Sequence, residues 1–463
     1  MTRMVTQMEQ EKVSPRFMFA LVMSTMMNPL NSTMLATALF ALCNSFKISI
    51  GQGAILITAL YVTSTIAQPL MGRLADIFSA KKINLLGFVL VFIAASIGII
   101  APNFSWLIIS RIILGLGTSA AYPSAMALIN RKYAEMNQEV PGDVLGIIAI
   151  SGQVSMILGP VLGGFLTQWL GWRGIFYINI PWVLIAVYLS AIIPDYPSVN
   201  NKQGISFFKR LDVPGIVIFS SFLLSLLFVL TNDTFSWLLL FASIILLVLL
   251  IFWERSQEAP FIDVRLLQTE PALLLVYFRT LATNYVLYQM LYGLPQWLEG
   301  VKNISPAQTG LLMVPDSVVA IVVGLLISKS KNLFGQNFIG VLLMFASAAG
   351  WLMLNIESTI FFIVMVCVVI GLAEGVNLIA NQALLNKEAP LAQKGVSFGL
   401  FRTFGYIGAI ISSSQLKIHF HGGITDPSFH SLAVNMLYPC VALAILLIPL
   451  WLRLKRKKTQ LVS

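Results

Sequence analysis

Charge is what this sequence has least of. Asp, Glu, Lys and Arg supply 10% of 463 residues, where soluble domains carry about a quarter. With 57% hydrophobic residues and a mean hydropathy of +0.85, so few charges exclude an ordinary water-soluble domain. Cysteine and histidine occur three times each. Cys43, Cys367 and Cys440 lie in or beside apolar segments without metal-binding spacing, so they read as free buried thiols. His419, His421 and His430 share one late stretch, but no Cys or acidic ligand completes a familiar metal spacing. A flexible loop without a metal is expected there. No G-x(4)-G-K-[S/T] phosphate loop occurs, which argues against an ATP-driven pump, and no cofactor is expected. No polar constellation of His or paired acids stands ready as nucleophile and base, which argues against an enzyme. A sensor would usually add a soluble output domain, and none is recognisable. The net charge of +10 does not suggest nucleic acid, because its basic residues sit in loops between apolar runs.

Those runs dominate the chain. Stretches of 17 or more apolar residues recur along it, each long enough to cross a hydrocarbon core of about 30 Å. The expected fold is an all-α polytopic membrane protein. Fourteen spans are expected, at about 17–41, 54–71, 83–101, 105–129, 145–167, 175–193, 213–231, 235–253, 272–298, 307–328, 338–355, 358–385, 396–415 and 433–452. The first resembles a signal peptide in its Ala36-Thr37-Ala38 triplet, but it is longer than that class and carries Asn28, Pro29 and Asn31. It reads as a retained helix. Of the 29 Lys and Arg, 22 fall in the amino terminus, alternate loops and the tail, against four in the opposite loops. The excess of basic loops marks the cytoplasmic side, so both termini are expected there.

One stretch organises the rest: Ser151-Gly152-Gln153-Val154-Ser155-Met156-Ile157-Leu158-Gly159-Pro160-Val161-Leu162-Gly163-Gly164. Helical spacing puts Gly152, Ser155, Gly159 and Gly163 on one face, a stripe that lets two backbones approach closely. Pro160 removes a hydrogen bond and predicts a bend. Static packing by small residues is the plainer alternative. The whole string resembles the antiporter motif of the major facilitator superfamily, G-x(6)-G-P-x-x-G-G. Gly72-Arg73-Leu74-Ala75-Asp76-Ile77-Phe78-Ser79-Ala80-Lys81-Lys82 resembles that superfamily's motif G-x-L-a-D-r-x-G-r-k/r, departing at Ile77, Ser79 and Ala80. By this resemblance Gly72, Asp76 and Lys81 belong to a gate that latches the cytoplasmic face, with Gly152, Gly159, Pro160, Gly163 and Gly164 in the moving helix. A solvated turn obeying the positive-inside rule is the alternative for the loop.

Further phrases narrow the resemblance. Trp172-Arg173-Gly174-Ile175-Phe176-Tyr177-Ile178-Asn179-Ile180-Pro181 is similar to W-R-W-I-F-x-I-N-x-P, and Glu254 with Pro260 to Leu267 is similar to E-x(5)-P-l-l-d-l-r-l-f. With Gly310 to Pro315, they point to the fourteen-helix drug:proton antiporter family of the EmrB/QacA type. That family implies a 6+2+6 arrangement: residues 1–194 as one six-helix half, 195–270 as a linker with two inserted helices, and 271–463 as the second half. A central substrate site between the halves follows. Asn31 stands where the family pattern l-D-x-T-x-x-x-x-A-L-P places an aspartate, and an amide cannot release a proton. A proton carrier must therefore lie elsewhere.

Two acids lie deep in spans. Asp316 is about 15 Å into the tenth and Glu374 about 25 Å into the twelfth, at 1.5 Å per residue. Desolvation disfavours their charged forms, as a proton carrier needs, and intramembrane ionisable groups are functional candidates by default. Glu374 is the first candidate; Asp316 could instead pair structurally with an Arg. Arg111 sits about 12 Å inside the fourth span, in a segment similar to the family's l-x-x-x-R-x-x-q-G-x-g-a-a helix. It should face a cavity or a polar neighbour, with snorkelling to the interface as the alternative. Tyr285, Tyr288, Gln289, Tyr292 and Gln296 fall within about 100° on the ninth span. Rings and amides on one face suit amphipathic or cationic aromatic compounds; for Trp297, at the outer end, an interfacial aromatic belt is the alternative.

The expected protein is a secondary active exporter in a bacterial cytoplasmic membrane, functioning as a monomer. Its partners would be the lipid bilayer, protons and a small-molecule substrate, amphipathic or cationic and including drugs. Glu374, Asp316 and Arg111 would carry proton coupling; Asn31, Tyr285, Tyr288, Gln289, Tyr292, Gln296 and Glu374 would meet substrate. The alternative keeps the fold but moves a dedicated metabolite, lipid or siderophore, without proton coupling.

Overall fold

The computed structural model describes residues 14–138, 140–191, 193–196, 211–231, 236–257, 260–262, 264–265, 271–328, 330, 332–389 and 394–460. Among them there is no strand. The chain begins with α1 (Pro15–Thr25) and α2 (Met27–Phe46), which break at Met26, just before Asn28 and Pro29. Ser14 caps α1 with Pro15 at its first position, where a missing N–H costs nothing. The short α3 (Ile50–Gly53) carries a Ser49/Gln52 capping box and leads into α4 (Ile55–Ile77). Then follow α5 (Ala80–Ile100), α6 (Phe104–Ser119), α7 (Ala121–Glu135) and α8 (Gly142–Leu170). The pair α9 (Gly174–Tyr177) and α10 (Asn179–Ser190) turns back against α8 through Gly171, whose φ of 69° suits glycine. Two strongly apolar helices come next, α11 (Val213–Thr231) and α12 (Trp237–Ser256). The rest is α13 (Pro271–Gly300), α14 (Pro306–Leu312), α15 (Val314–Ser328), α16 (Leu333–Met353), α17 (Ile360–Glu388), α18 (Lys394–Phe420) and α19 (Asp426–Gln460).

Among the described residues nine helices or helix pairs are long and apolar enough to cross a membrane, and the pair Ser151–Leu170 with Gly174–Ser190, bent by 119°, makes a tenth. Helices also fill the expected spans 17–41, 272–298 and 396–415, as α1–α2, α13 and α18, but they are too polar for that criterion. Their polarity is turned inward. Asn31, Ser32, Thr33 and Thr37 of α2, Gln289 and Gln296 of α13, and Ser412, Ser413 and Ser414 of α18 are all buried. By contrast, α11 and α12 lie at the periphery, with Phe228, Leu238, Phe241 and Phe252 exposed. They dock through Phe219 and Leu223, beside Ile66 of α4 and Ile407 of α18.

The helix that carries the organising stretch packs against α2. A Cβ at Gly163 would lie 2.8 Å from the Met34 Cα and 2.7 Å from the Thr37 hydroxyl; one at Gly159 would lie 2.6 Å from the Thr33 Cβ. Gly164 faces the other way, onto Pro306 and Ala307 of α14. The expected stripe is therefore shorter than its spacing suggests, because Gly152 has no neighbour within 4 Å. Pro160 does not interrupt α8, and its carbonyl accepts the Thr37 hydroxyl at 3.0 Å.

Candidate functional site

Where the amino-terminal helices meet the carboxy-terminal ones, α2 and α13 run side by side in one direction. The Tyr292 hydroxyl donates to the Ser32 carbonyl at 3.0 Å, and one turn on the Gln296 amide donates to the Ala36 carbonyl at 2.7 Å. Both side chains are fully buried. The residues expected to line a cavity thus form a dry seam between the two helix sets in this conformation. Tyr61 of α4 closes it from a third side, with its hydroxyl 3.2 Å from that of Tyr292. Its ring packs 5.0 Å from Tyr288 and 5.6 Å from Tyr406 of α18, centroid to centroid. Tyr288 and Tyr292 stack on one another, while the Gln289 amide donates to the Tyr285 hydroxyl at 3.2 Å. The Gln289 and Gln296 carbonyl oxygens have no partner in this packing.

Asn31 stands beside the seam and is 3% exposed. It exchanges two hydrogen bonds with Asn179 of α10, at 2.7 and 2.8 Å, and also donates to the Met27 carbonyl at 3.0 Å. Arg111 is 1% exposed, so it does not snorkel. Its guanidinium donates to the Asn31 carbonyl at 3.2 Å and lies 5.3 Å from the Phe176 ring centroid, leaving Nε without a partner. Tyr61 and Tyr292 are within its electrostatic reach. A buried cation with one carbonyl, one ring face and polarisable phenols is compensated by dipoles rather than by a carboxylate.

Asp316 and Glu374 come together on α15 and α17. Gly371 and Gly375 press against the backbone of Asp316 and Ala320, so the two helices touch without side-chain bulk. That close approach brings the two carboxyl groups within electrostatic reach of each other, and Glu374 also acts on Tyr288. Asp316 Oδ1 has no hydrogen-bond partner. The structural alternative, an Arg paired with Asp316, is not what the chain does. Arg279 instead donates to Asn381 at 3.2 Å, which donates in turn to Thr283 at 2.9 Å.

The gate residues divide. Gly72 has only Pro123 nearby, 3.5 Å from a Cβ placed there, and the Asp76 side chain lies outside the described residues. Lys81 donates to the Ile193 and Ala191 carbonyls at 2.6 and 3.4 Å, just past the end of α10. It therefore ties α5 to α10 on the same side of the seam. A cation on the last carbonyls of a helix is the favourable placement. Among the described residues that cross at that end are Arg402 of α18, 3.7 Å from the Tyr122 ring centroid of α7, and Arg73, which bonds the Pro260 carbonyl.

A sequence profile described as the Major Facilitator Superfamily matches residues 21–413. The chain belongs to the major facilitator superfamily. Its members are secondary transporters and not enzymes, and this chain is a multi-pass membrane transporter. It is 32% identical over 443 residues to an uncharacterised MFS-type transporter, YwoD of Bacillus subtilis (strain 168), covering 91% of this chain and 93% of that one. It is 26% identical over 446 residues to the multidrug efflux pump SdrM of Staphylococcus aureus (strain N315), covering 93% and 95%. The riboflavin transporter RibZ of Clostridioides difficile (strain 630) is 24% identical over 412 residues, covering 86% of each chain. Among solved structures, a variant of the nucleoside transporter NupG superposes with a TM-score of 0.64 at 15% identity, covering 94% of this chain and 99% of that one. The human organic anion transporter MFSD10 gives 0.58 at 14%, covering 93% and 100%. These two show the superfamily fold alone.

Sequence reasoning passed over Tyr61, Asn179, Tyr406 and Arg402. Each sits in an otherwise apolar or family-typical segment, and only the crossing of helices distant in sequence puts it at the seam. Asn179 had a signal: it is the amide of the I-N-x-P phrase, on a helix with few other polar residues.

Proposed function

We propose that this transporter is a proton-coupled exporter of small amphipathic or cationic compounds, drugs among them, in a bacterial plasma membrane with both termini in the cytoplasm. It would comprise fourteen spans as 6+2+6: residues 1–194, the linker with its insert 195–270, and 271–463. One observation carries the reading. Asp316 and Glu374 share one intramembrane site with no described cation on either, and that site abuts the aromatic cluster of Tyr61, Tyr288, Tyr292 and Tyr406. Two neighbouring carboxyl groups in a medium of low dielectric cannot both be charged without large cost. They hold a proton until a substrate cation or water displaces it. Ring faces alongside would take an aromatic or quaternary ammonium compound. Arg111, held by Asn31 rather than by an acid, keeps its charge off the proton site and fixes the seam.

The test is transport in liposomes with an imposed pH gradient, following efflux of a lipophilic cation together with luminal pH. Glu374→Gln should still bind the cation but lose gradient-driven transport, while Asp316→Asn should weaken it. Full coupled transport in both variants removes the two acids from the mechanism. Wild-type transport without proton movement favours the second reading, a dedicated exporter of a metabolite, lipid or siderophore. That reading is supported by the Asn31–Asn179 amide pair, which occupies the place of the family's acid with a group that never titrates.

A further inference from the structure

A third carboxyl group lies on the seam. Glu299 is one turn beyond Gln296, on the α13 face that carries Tyr292 and Gln296. It is 4% exposed, and neither carboxylate oxygen has a hydrogen-bond partner. The surroundings explain why. The steps Tyr292 to Ser32 and Gln296 to Ala36 advance by four residues on each helix, so the next step meets Leu39 and Phe40. Gly300 indeed lies against Phe40, 3.0 Å from a Cβ placed there, and Leu39, Leu42 and Cys43 are fully buried. Among the described residues no donor reaches either Glu299 oxygen where the zipper would continue.

Charged groups on the neighbouring elements are engaged elsewhere or bond something other than Glu299. Lys302 donates to the Ile356 and Ser358 carbonyls, and Asp426 accepts the Trp297 indole N–H. His430 bonds the Leu354 carbonyl, and His419 bonds Asn435. The elements packed here also carry Cys43 and Lys47 at the end of α2, Tyr285, Tyr288 and Tyr292 on α13 itself, Cys367 and Glu374 on α17, Arg402, Tyr406 and Lys417 on α18, His421 just after it, and Tyr438 and Cys440 on α19, none of which hydrogen-bonds either Glu299 oxygen. Neither α3 nor α14 contributes any. An ionised carboxylate left in such a seam without a partner is strongly disfavoured. The closed seam therefore accommodates Glu299 as the neutral acid.

We infer that Glu299 is a proton-binding residue of the outer gate: its protonation accompanies closure of the α2–α13 seam, and its ionisation accompanies opening. This extends the proton-coupled reading above by giving protons a second docking point, about two turns from Tyr292 towards the outer face. A proton arriving from outside would then close the gate behind it.

The experiment needs no substrate. Ser45 and Gly422 are exposed on the two sides of the seam, and the native cysteines are buried, so Ser45→Cys/Gly422→Cys can carry a distance-reporting label pair in liposomes. Wild type should shift from the short to the long distance as pH rises from about 5 to 9, by up to about tenfold in population ratio per pH unit for one linked proton. Glu299→Gln should stay short throughout, and Glu299→Asp should restore the response. An unchanged response in Glu299→Gln overturns the inference and passes the effect to His419, His421, His430 or Asp426. A wild-type distance that ignores pH overturns it too. If transport proves not to be driven by protons while the Glu299-dependent distance change persists, the coupling reading fails and the gate assignment stands. If transport is driven by protons and the distance does not respond, only the gate assignment fails.

Discussion

The Tyr292 hydroxyl is the most exposed to a single-atom test. Tyr292→Phe keeps the ring stacked on Tyr288 and removes one oxygen that bonds across the seam twice. The first bond, to Ser32, goes to a carbonyl inside α2 that keeps its helical donor, so its loss costs about 0.5–1 kcal/mol. The second, to Tyr61, is lost as well; Ser32 and Tyr288 stay within hydrogen-bonding reach of the Tyr61 hydroxyl, so this adds about another 0.5–1 kcal/mol rather than the cost of an orphaned group. An open seam admits water and relieves both. Together they bias the equilibrium against the closed form by about 1–2 kcal/mol, which is about 5- to 30-fold in the closed-to-open ratio. The label pair on Ser45→Cys/Gly422→Cys reads that ratio directly. Gln296→Leu makes the internal control. It also deletes a bond across the seam, but it removes a carbonyl oxygen that the closed form leaves unpaired, so the two effects offset and the ratio should move less than about threefold. Equal shifts for the two variants, or no shift for Tyr292→Phe, would refute the view that hydroxyl satisfaction holds this seam.

Three other outcomes are expected. Gly163→Ala should cost about 1–3 kcal/mol or more in detergent thermostability, because its new methyl would meet the backbone of Met34; Gly152→Ala, with nothing within 4 Å, should be silent in the same melting assay. Asn31→Leu and Asn179→Leu should each destabilise the fold, but the double variant should lose about 1–2 kcal/mol less than their sum, since each single one orphans the other amide. Tyr196, just beyond the membrane helices, has its phenol pushed up to about 12, by burial first and then by Glu135. A group raised in the folded state contributes stability that is full below about pH 10 and lost as pH climbs to about 12. Tyr196→Phe should flatten that part of an alkaline unfolding curve.

The helices were legible wherever the membrane itself imposes the pattern. Runs such as 83–101 and 213–253 announce themselves, because lipid tolerates only apolar faces. Residues of one helix that meet lipid, core or a partner helix at successive turns were harder. The spacing of Gly152, Ser155, Gly159 and Gly163 is regular, yet α2 runs alongside only part of it, and the end at Gly152 is left open. Asp316 and Glu374 were each visible as misplaced charges. Their meeting was not, since it depends on Gly371 and Gly375, 55 or more residues beyond Asp316, lying flat on α15. Lys81 was legible as the basic end of its motif, but its partners were not: they are the carbonyls just past the end of α10, more than 100 residues away. Glu299 escaped notice because the apolar run ends at 298, which made it look like the first residue of a loop.

The inward-turned polarity of α2, α13 and α18 also bears on how the chain is made. A helix reaching the bilayer alone is judged by all its faces, and α13 would offer Arg279, Asn284, Gln289 and Gln296 to lipid before its neighbours exist. Directly ahead of it come α11 and α12, apolar along nearly their whole length. They seat themselves without help. Whatever they contribute to transport, two helices so apolar would moor the nascent chain just ahead of α13, the helix least suited to meet lipid alone.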